Sequence, residues 1–192
     1  MDTLLETAIA YEKLLHKDFI YTLENDTSVI INFQAHGFHH LMGLQKLVDI
    51  DQVRKAEVGS PRIQLEARTI YRNIRNGLIT LADIQKSKHF HEIENRLRFF
   101  SQINNLVEFE KIIIDFDKEL LGFRSNLSKA EYLLHKKGNM NIHLNLFLGQ
   151  ANKRVNMLFP LTFITSPTDH YTYGQRALKI LDMKTVLLRR EK

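Results

Sequence analysis

The chain has 192 residues and a mass of 22.6 kDa, the size of one compact domain, and we expect a single domain over residues 1–192. Its 44% hydrophobic and 26% charged residues, with 3 Pro and 8 Gly, exclude a chain that is mainly disordered or fibrous. It has no Cys, which excludes disulfides, thiol nucleophiles and Cys-ligated metal sites.

The charge is unevenly distributed along the sequence. Residues 1–128 carry 16 Lys and Arg against 18 Asp and Glu, a net of −2, whereas residues 129–192 carry 11 against 4, a net of +7. Concentrated positive charge favours binding to a phosphate backbone, because neutralising phosphates releases counterions. The C-terminal third therefore predicts a nucleic-acid partner, and a solubilising surface is the alternative.

Neither a secretory leader nor a membrane span is evident. The N-terminus has acidic residues where a secretory signal has a basic start. No apolar run approaches the roughly 18 residues that a spanning helix needs. We therefore expect a cytoplasmic protein without membrane contact.

The first part of the chain, residues 1–106, has the pattern of helices around one hairpin. Helical spacing predicts a helix over 2–16, and β-branched and aromatic segments at 18–24 and 28–33 predict a hairpin with its turn between them. Helical patterns return over 38–50, from Pro61 to about Asn76 with Ser60 as the N-cap, and over 78–87 and 89–106.

The second part, residues 107–192, has the pattern of strands. Strand-like segments occupy 111–116, 129–137, 140–149 and 155–165, and a Gly138-Asn139 turn lies between two of them. Residues 175–190 predict a short helix and then a closing strand. The expected fold class is therefore α+β, with helices mainly in the first half packed on an antiparallel β-meander in the second half.

Residues 36–47, HGFHHLMGLQKL, form the densest chemical stretch. A helical wheel places His39, Gly43 and Lys46 on the polar arc and His40 at the apolar margin. This pattern predicts bare backbone at Gly43 between a titratable base and a fixed cation, which suits phosphoryl transfer. The alternative is a solvated face for His39 and Lys46, with His40 hydrogen-bonded at the core edge.

The strand NIHLNLFL, residues 141–148, alternates between an apolar face and a polar face. The polar face offers His143 as an acid or base and Phe147 as a stacking platform for RNA bases. The alternative is that helices cover this face, with Phe147 in the core and His143 as a satisfied buried group. Arg154 precedes the predicted strand 155–165, and Tyr171 and Gln175 follow it. All three are suited to RNA contacts, and a simple turn is the alternative for the residues after the strand.

Cofactor and metal motifs are absent from the sequence. It contains no P-loop, dinucleotide fingerprint, GxSxG elbow or HExxH motif, so we expect no cofactor. His36, His39 and His40 are poorly placed for a metal, because adjacent histidines on a helix diverge and no carboxylate lies near them. We therefore expect no metal site.

Three segments, in order and in spacing, resemble a phage- and mobile-element-associated domain group in the superfamily of Barnase, EndoU, colicin-type and RelE-type ribonucleases. They are FHHLMGLQKL, SKAEYLLHKK, and FPLTF followed by DHYTYGQRALKIL, and the likeness covers nearly the whole chain. The residues that match the family pattern are Phe38, His40, Leu41, Gly43, Leu44, Lys129, Pro160, Thr162 and Phe163. The family pattern selects His40 where the helical wheel exposes His39, so both stay candidates.

The resemblance implies helices on an antiparallel sheet and metal-independent RNA cleavage of a toxin or effector type. In that chemistry a base deprotonates the ribose 2′-OH, an acid protonates the leaving oxygen, and cations or hydroxyls stabilise the phosphorane. The candidate catalytic residues are His39, His40, Lys46, His143 and Thr162. The candidate RNA-binding residues are Lys129, Phe147, Arg154, Tyr171 and Gln175. RNA and an inhibitor or antitoxin protein are the expected partners, and a non-catalytic RNA- or protein-binding module of the same fold is the alternative.

Overall fold

The computed structural model describes residues 2–54, 66–121, 127–152 and 156–188. The chain divides into two compact units, which we call the helical unit (Met1–Leu15 with Gln34–Gln102) and the sheet unit (His16–Phe33 with Ile103–Lys192). The predicted helix start at Ser60 and Pro61 and the predicted RNA contact Arg154 lie outside the described residues. Among the described helices, none combines the length and apolar character needed to cross a membrane.

The helical unit is built from short helices around an aromatic core. Asp2 caps the first helix by accepting a hydrogen bond from the Leu5 amide at 3.0 Å. The rings of Tyr11 and Phe38 lie 5.3 Å apart, and Phe38 meets Phe100 edge-on at 5.8 Å. The α-helices are α1 (Thr3–Glu12), α2 (Gly37–Leu41), α3 (Ala67–Arg75), α4 (Leu81–Ile84) and α5 (Glu94–Phe99), and 3₁₀ turns occupy Leu44–Lys46, Asp51–Val53, Phe90–Glu92 and Phe100–Gln102.

The strands of the sheet unit are β1 (Lys17–Leu23), β2 (Ser28–Asn32), β3 (Ile112–Asp115), β4 (Ala130–Lys137), β5 (His143–Asn152), β6 (Met157–Ser166) and β7 (Arg176–Leu187). They form a closed seven-stranded barrel in the order β1-β2-β6-β5-β4-β3-β7, in which β7 also pairs with β1. Every neighbouring pair is antiparallel except β2 and β6, which are parallel. A helix of this unit packs beside β4. This helix is α6 (Ile103–Phe109), and 3₁₀ turns occupy Lys118–Leu121 and Asn139–Asn141.

The α+β class and the N-terminal hairpin are confirmed, but the layout differs from the prediction. The hairpin pairs Asp18 with Asn32 and belongs to the same sheet as the C-terminal strands, so the sheet is not a meander confined to the second half. The helix predicted near residue 175 is wrong, because Arg176–Leu187 is one continuous strand. This strand bonds to both β1 and β3, which satisfies its backbone on each side.

Strands β4, β5 and β6 carry different side chains on their two faces. One face holds Leu134, Leu146 and Phe163, which are cross-strand neighbours and completely buried. The other face carries at one end what we call the apolar cluster, namely Ile114, Phe116, Leu127, Ala130, Leu133 and Phe147, with Leu121, Leu161, Ile164 and Tyr171 packed against it. This face turns polar toward the end of β4, where His135 and Lys137 lie.

Candidate active site

His39 and His40 have the opposite exposures to those that the helical wheel predicts. Helix α2 ends at Leu41, so the wheel over residues 38–50 does not apply to the whole segment. His39 is only 3% exposed, and its Nε2 atom donates to the Val53 carbonyl at 2.7 Å. His40 is exposed. The structure thus gives His39 a structural hydrogen bond and leaves His40 accessible.

The backbone at Gly43 is covered rather than bare. Gly43 follows α2 with a φ of 79°, in the left-handed region that favours glycine. A Cβ atom built at this position would lie 3.0 Å from Ile93 Cγ2 and 3.3 Å from Arg96 Nη1. Lys46 lies just beyond, 3.2 Å from Glu92, and this ion pair contributes to a lowered pKa for the Glu92 carboxyl. The predicted open patch between His39 and Lys46 is therefore wrong.

Phe147, predicted as a stacking platform, is a core residue. Its side chain is completely buried in the apolar cluster, with its ring 5.1 Å from both Phe116 and Tyr171. Tyr171 is half-buried against it, and Thr162 lies directly across from it on β6. Phe147 thus lies in the core, as the alternative prediction states, and its ring is not available to stack on an RNA base.

Gln175 and Lys129, two predicted RNA contacts in the sheet unit, have different surroundings. The Gln175 side chain accepts from the Asp117 amide at 2.7 Å and donates to the Asp117 carbonyl at 2.9 Å. These two bonds hold the residue that precedes β7 to the Asp117 backbone. Lys129 is exposed and lines a pocket of about 400 Å³ together with Lys118 and Glu131. Gln175 thus has a structural role, whereas the Lys129 side chain is accessible for the predicted RNA contact.

The polar end of the sheet face brings together five side chains that we call the histidine site. His143, at the start of β5, lies directly opposite Lys137 of β4 and directly opposite Ser166 of β6. Directly paired residues have Cβ atoms about 5 Å apart, so a cation and a hydroxyl flank this imidazole. The members are His135, Lys137, His143, Ser166 and His170.

Two imidazoles are hydrogen-bonded at the centre of this site. His135 Nε2 and His143 Nδ1 lie 2.9 Å apart, and the half-buried rings stack with an interplanar angle of 20°. Burial and the neighbouring His143 lower the pKa of His135 below its ordinary value of 6.5, and the carboxylate of Asp169 opposes that shift. His135 is therefore biased toward the neutral form near neutral pH.

The turn after β6 supplies hydroxyl groups to the same site. Ser166 Oγ is buried and accepts from the Thr168 amide at 3.2 Å. His170 Nδ1 lies 2.9 Å from Thr168 Oγ1 and 3.3 Å from Ser166 Oγ. Within the ranges that the structure describes, no three His, Asp or Glu side chains are arranged to hold a metal ion.

A hydrogen-bonded imidazole pair can present an acid and a base at once. A single hydrogen lies between Nε2 of His135 and Nδ1 of His143, and each neutral ring carries only one N–H. Whichever ring owns the shared hydrogen, one of the two remaining nitrogens is an N–H donor and the other has a free lone pair. When the outer nitrogen with the lone pair gains a proton and the other outer nitrogen loses one, transfer of the shared hydrogen restores two neutral rings with the two roles exchanged.

Sequence reasoning found His143 but missed its partners. His135 and Lys137 lie at i and i+2 on one predicted strand, and the alternation already used for β5 would have placed them on one face. Thr162, predicted from the family pattern, lies four residues from Ser166 and thus about 13 Å along the strand from the histidine site. His39, His40 and Lys46 belong to the helical unit, whereas all members of the histidine site belong to the sheet unit.

The sequence matches a family model over residues 3–189, nearly its full length. The family is described as phage-Barnase-EndoU-ColicinE5/D-RelE like nuclease 4. The chain belongs to this family. No curated protein and no solved structure matches the chain. The resemblance identified from the three segments is confirmed, and membership in this nuclease family supports a nuclease-like function.

Proposed function

We propose that the chain is a metal-independent endoribonuclease whose proton transfers are carried out by the hydrogen-bonded pair His135 and His143. The observation that carries this proposal is the 2.9 Å contact between the two rings, because it provides one acidic and one basic nitrogen in one place. Membership in a nuclease family supports the same chemistry. The half-buried position of both rings keeps part of the surrounding water away.

The reaction needs two proton transfers on opposite sides of one phosphate. The ring nitrogen with the free lone pair removes the proton from the ribose 2′-OH, whose oxygen then attacks the adjacent phosphorus. The ring nitrogen that carries hydrogen donates it to the 5′ oxygen as the P–O bond breaks. The products are a 2′,3′-cyclic phosphate and a 5′-hydroxyl, and the pair ends with its original number of protons.

Lys137 is the residue proposed to stabilise the developing charge. Its side chain is exposed on the same face as His143 and directly opposite it, where an ammonium group can approach the equatorial oxygens of the phosphorane. Lys129 lies near the other end of β4 and is proposed to contact the RNA backbone further along the strand.

The test is cleavage of labelled RNA of mixed structure in excess EDTA, with analysis of the fragment ends. We expect 2′,3′-cyclic phosphate ends from the wild-type protein, and a loss of about 10²- to 10⁴-fold in rate for His143→Ala and for His135→Ala. His36→Ala is the matched control, because His36 is exposed and its side chain makes no capping hydrogen bond. Full activity in both variants, with the fold retained by circular dichroism, would overturn the proposal.

His40 is the remaining candidate from the family pattern, and the same assay decides its role. His40 is exposed, so His40→Ala is expected to leave the fold intact. A loss of rate comparable to that of His143→Ala would add His40 to the proton-transfer groups. RNA that is bound but uncut by the wild-type protein would instead support the non-catalytic binding module.

We also propose a toxin or effector role held in check by an inhibitor protein. The family description links the chain to phage-type nucleases, and uncontrolled cleavage of cellular RNA is expected to stop growth. Induced expression of the wild-type protein should arrest growth, and the His143→Ala variant should not. Equal growth arrest by the wild-type protein and the variant would show that the toxicity does not depend on the histidine site.

A further inference from the structure

The turn between β6 and β7, which also carries His170 of the histidine site, holds one aromatic side chain out in solvent. Tyr173 is 84% exposed, the highest fraction among the large hydrophobic side chains that the structure describes. Tyr171, two residues earlier, is half-buried against the apolar cluster. The two tyrosines of this turn therefore have different roles, one anchoring it and the other facing outward.

The exposure of Tyr173 is imposed by a well-bonded turn. The amide and the hydroxyl of Thr172 both donate to the Asp169 carbonyl, at 2.8 and 2.9 Å. The Gln175 amide donates to the Thr172 carbonyl at 3.2 Å, and Gly174 takes a φ of 72° that completes the turn. A ligand that contacts Tyr173 thus meets a backbone that is already ordered, which lowers the entropic cost of binding.

Tyr173 is joined to the histidine site by a short stretch of chain. It follows His170 by three residues, so their Cα atoms are at most about 11 Å apart. An exposed phenol ring on an ordered turn offers a flat apolar surface for a base, and stacking of this kind is tolerant of sequence. A base inside a duplex already has stacking neighbours on both sides, so the platform favours an unpaired base.

We infer that Tyr173 stacks on an unpaired base of the RNA strand bound at the histidine site, and that it thereby directs the protein to single-stranded RNA. This inference rests on the proposed ribonuclease function and adds the substrate class and a specificity-determining residue. Tyr173 takes no part in proton transfer.

The test uses RNA that cannot be cut, so that binding is measured apart from cleavage. A single-stranded oligonucleotide with 2′-O-methyl riboses and one 2-aminopurine base reports stacking as a loss of fluorescence. We expect Tyr173→Ala to weaken binding about tenfold and to abolish the quenching, and Tyr173→Phe to retain both. Phe109→Ala is the matched control, because it removes another exposed ring, 63% accessible, from the same unit.

The outcomes separate this inference from the proposed function. The same oligonucleotide in a full duplex should bind more weakly to the wild-type protein, and Tyr173→Ala should remove most of that difference. If Tyr173→Ala binds and quenches like the wild type, the stacking role is overturned, even where RNA is cleaved. If the wild-type protein quenches the probe but cuts no RNA, the stacking platform stands and the ribonuclease proposal fails.

Discussion

His135 and His143 share one hydrogen between Nε2 and Nδ1 at 2.9 Å, and this contact limits the protons that the pair can hold. A doubly protonated pair would place two N–H groups and two positive charges against each other. The bond therefore persists only while at least one of the two rings is neutral.

The first prediction concerns stability at mildly acidic pH. The pKa of His135 is lowered in the folded state, so above its ordinary value of 6.5 its neutral form contributes fully to stability. As the pH falls below that value, the unfolded chain takes up a proton more readily, and the contribution is lost. We expect the free energy of unfolding, measured by urea denaturation, to fall less steeply below about pH 6.5 in His135→Gln than in the wild type. Parallel curves for the two proteins would contradict the lowered pKa.

The second prediction separates two adjacent histidines. His39→Ala removes a buried ring and the hydrogen bond to the Val53 carbonyl, and we expect a loss of about 2–4 kcal/mol of unfolding free energy. His40→Ala changes an exposed side chain and should cost less, at most about 1 kcal/mol. Urea denaturation of both variants measures the difference. The reverse ranking would instead support the helical-wheel prediction, in which His39 is the exposed residue.

The third prediction compares two glycines with similar backbone angles. Gly43 and Gly77 have φ values of 79° and 71°, but an added Cβ meets Ile93 and Arg96 at the first position and nothing within 4 Å at the second. Gly77→Ala should cost about 1 kcal/mol, from backbone strain alone. Gly43→Ala should cost about 1–3 kcal/mol more because packed side chains must move. Equal thermal denaturation midpoints would show that the Gly43 environment yields without strain.

The fourth prediction tests whether Gln175 acts through the fold. Gln175→Ala removes two hydrogen bonds to the Asp117 backbone, with an expected cost of about 1–2 kcal/mol. The Asp117 amide should also exchange faster with deuterium, because its acceptor is gone. Unchanged stability combined with weaker RNA binding would instead support the direct RNA contact that the sequence predicts.

The register of β4 and β5 explains why the histidine site was only partly predictable. A two-residue turn at Gly138-Asn139 would pair Lys137 with Met140, and His143 would then lie opposite Leu134. The structure uses a longer connection, in which Met140 and Asn141 have positive φ values, and His143 lies opposite Lys137. Because an odd shift in register exchanges the faces of a strand, the contact with His135 depends on this turn.

The helical unit shows the opposite case, in which local pattern misleads within one element. Residues 36–47 have an apolar arc compatible with one long helix, and Leu41, Leu44 and Leu47 are indeed buried. The break at Gly43 rotates the residues after it, and Val48, which a continuous helix would place on the same arc as Leu44, is 55% exposed. Periodicity thus identified core residues better than it identified the faces of the two adjacent histidines.

The closing of the barrel has a consequence for synthesis on the ribosome. Strand β1 pairs with β7, as Lys17 with Leu187, and β2 pairs with β6. The first two strands therefore cannot complete their pairing until the last two have been synthesised. Contacts this distant in sequence form slowly, and the barrel cannot close on a chain that is still missing β7. The strands that carry His135 and His143 therefore reach their final support only after β7 has been translated. A chain that lacks β7 is therefore expected to lack the ordered site, and with it any activity of that site.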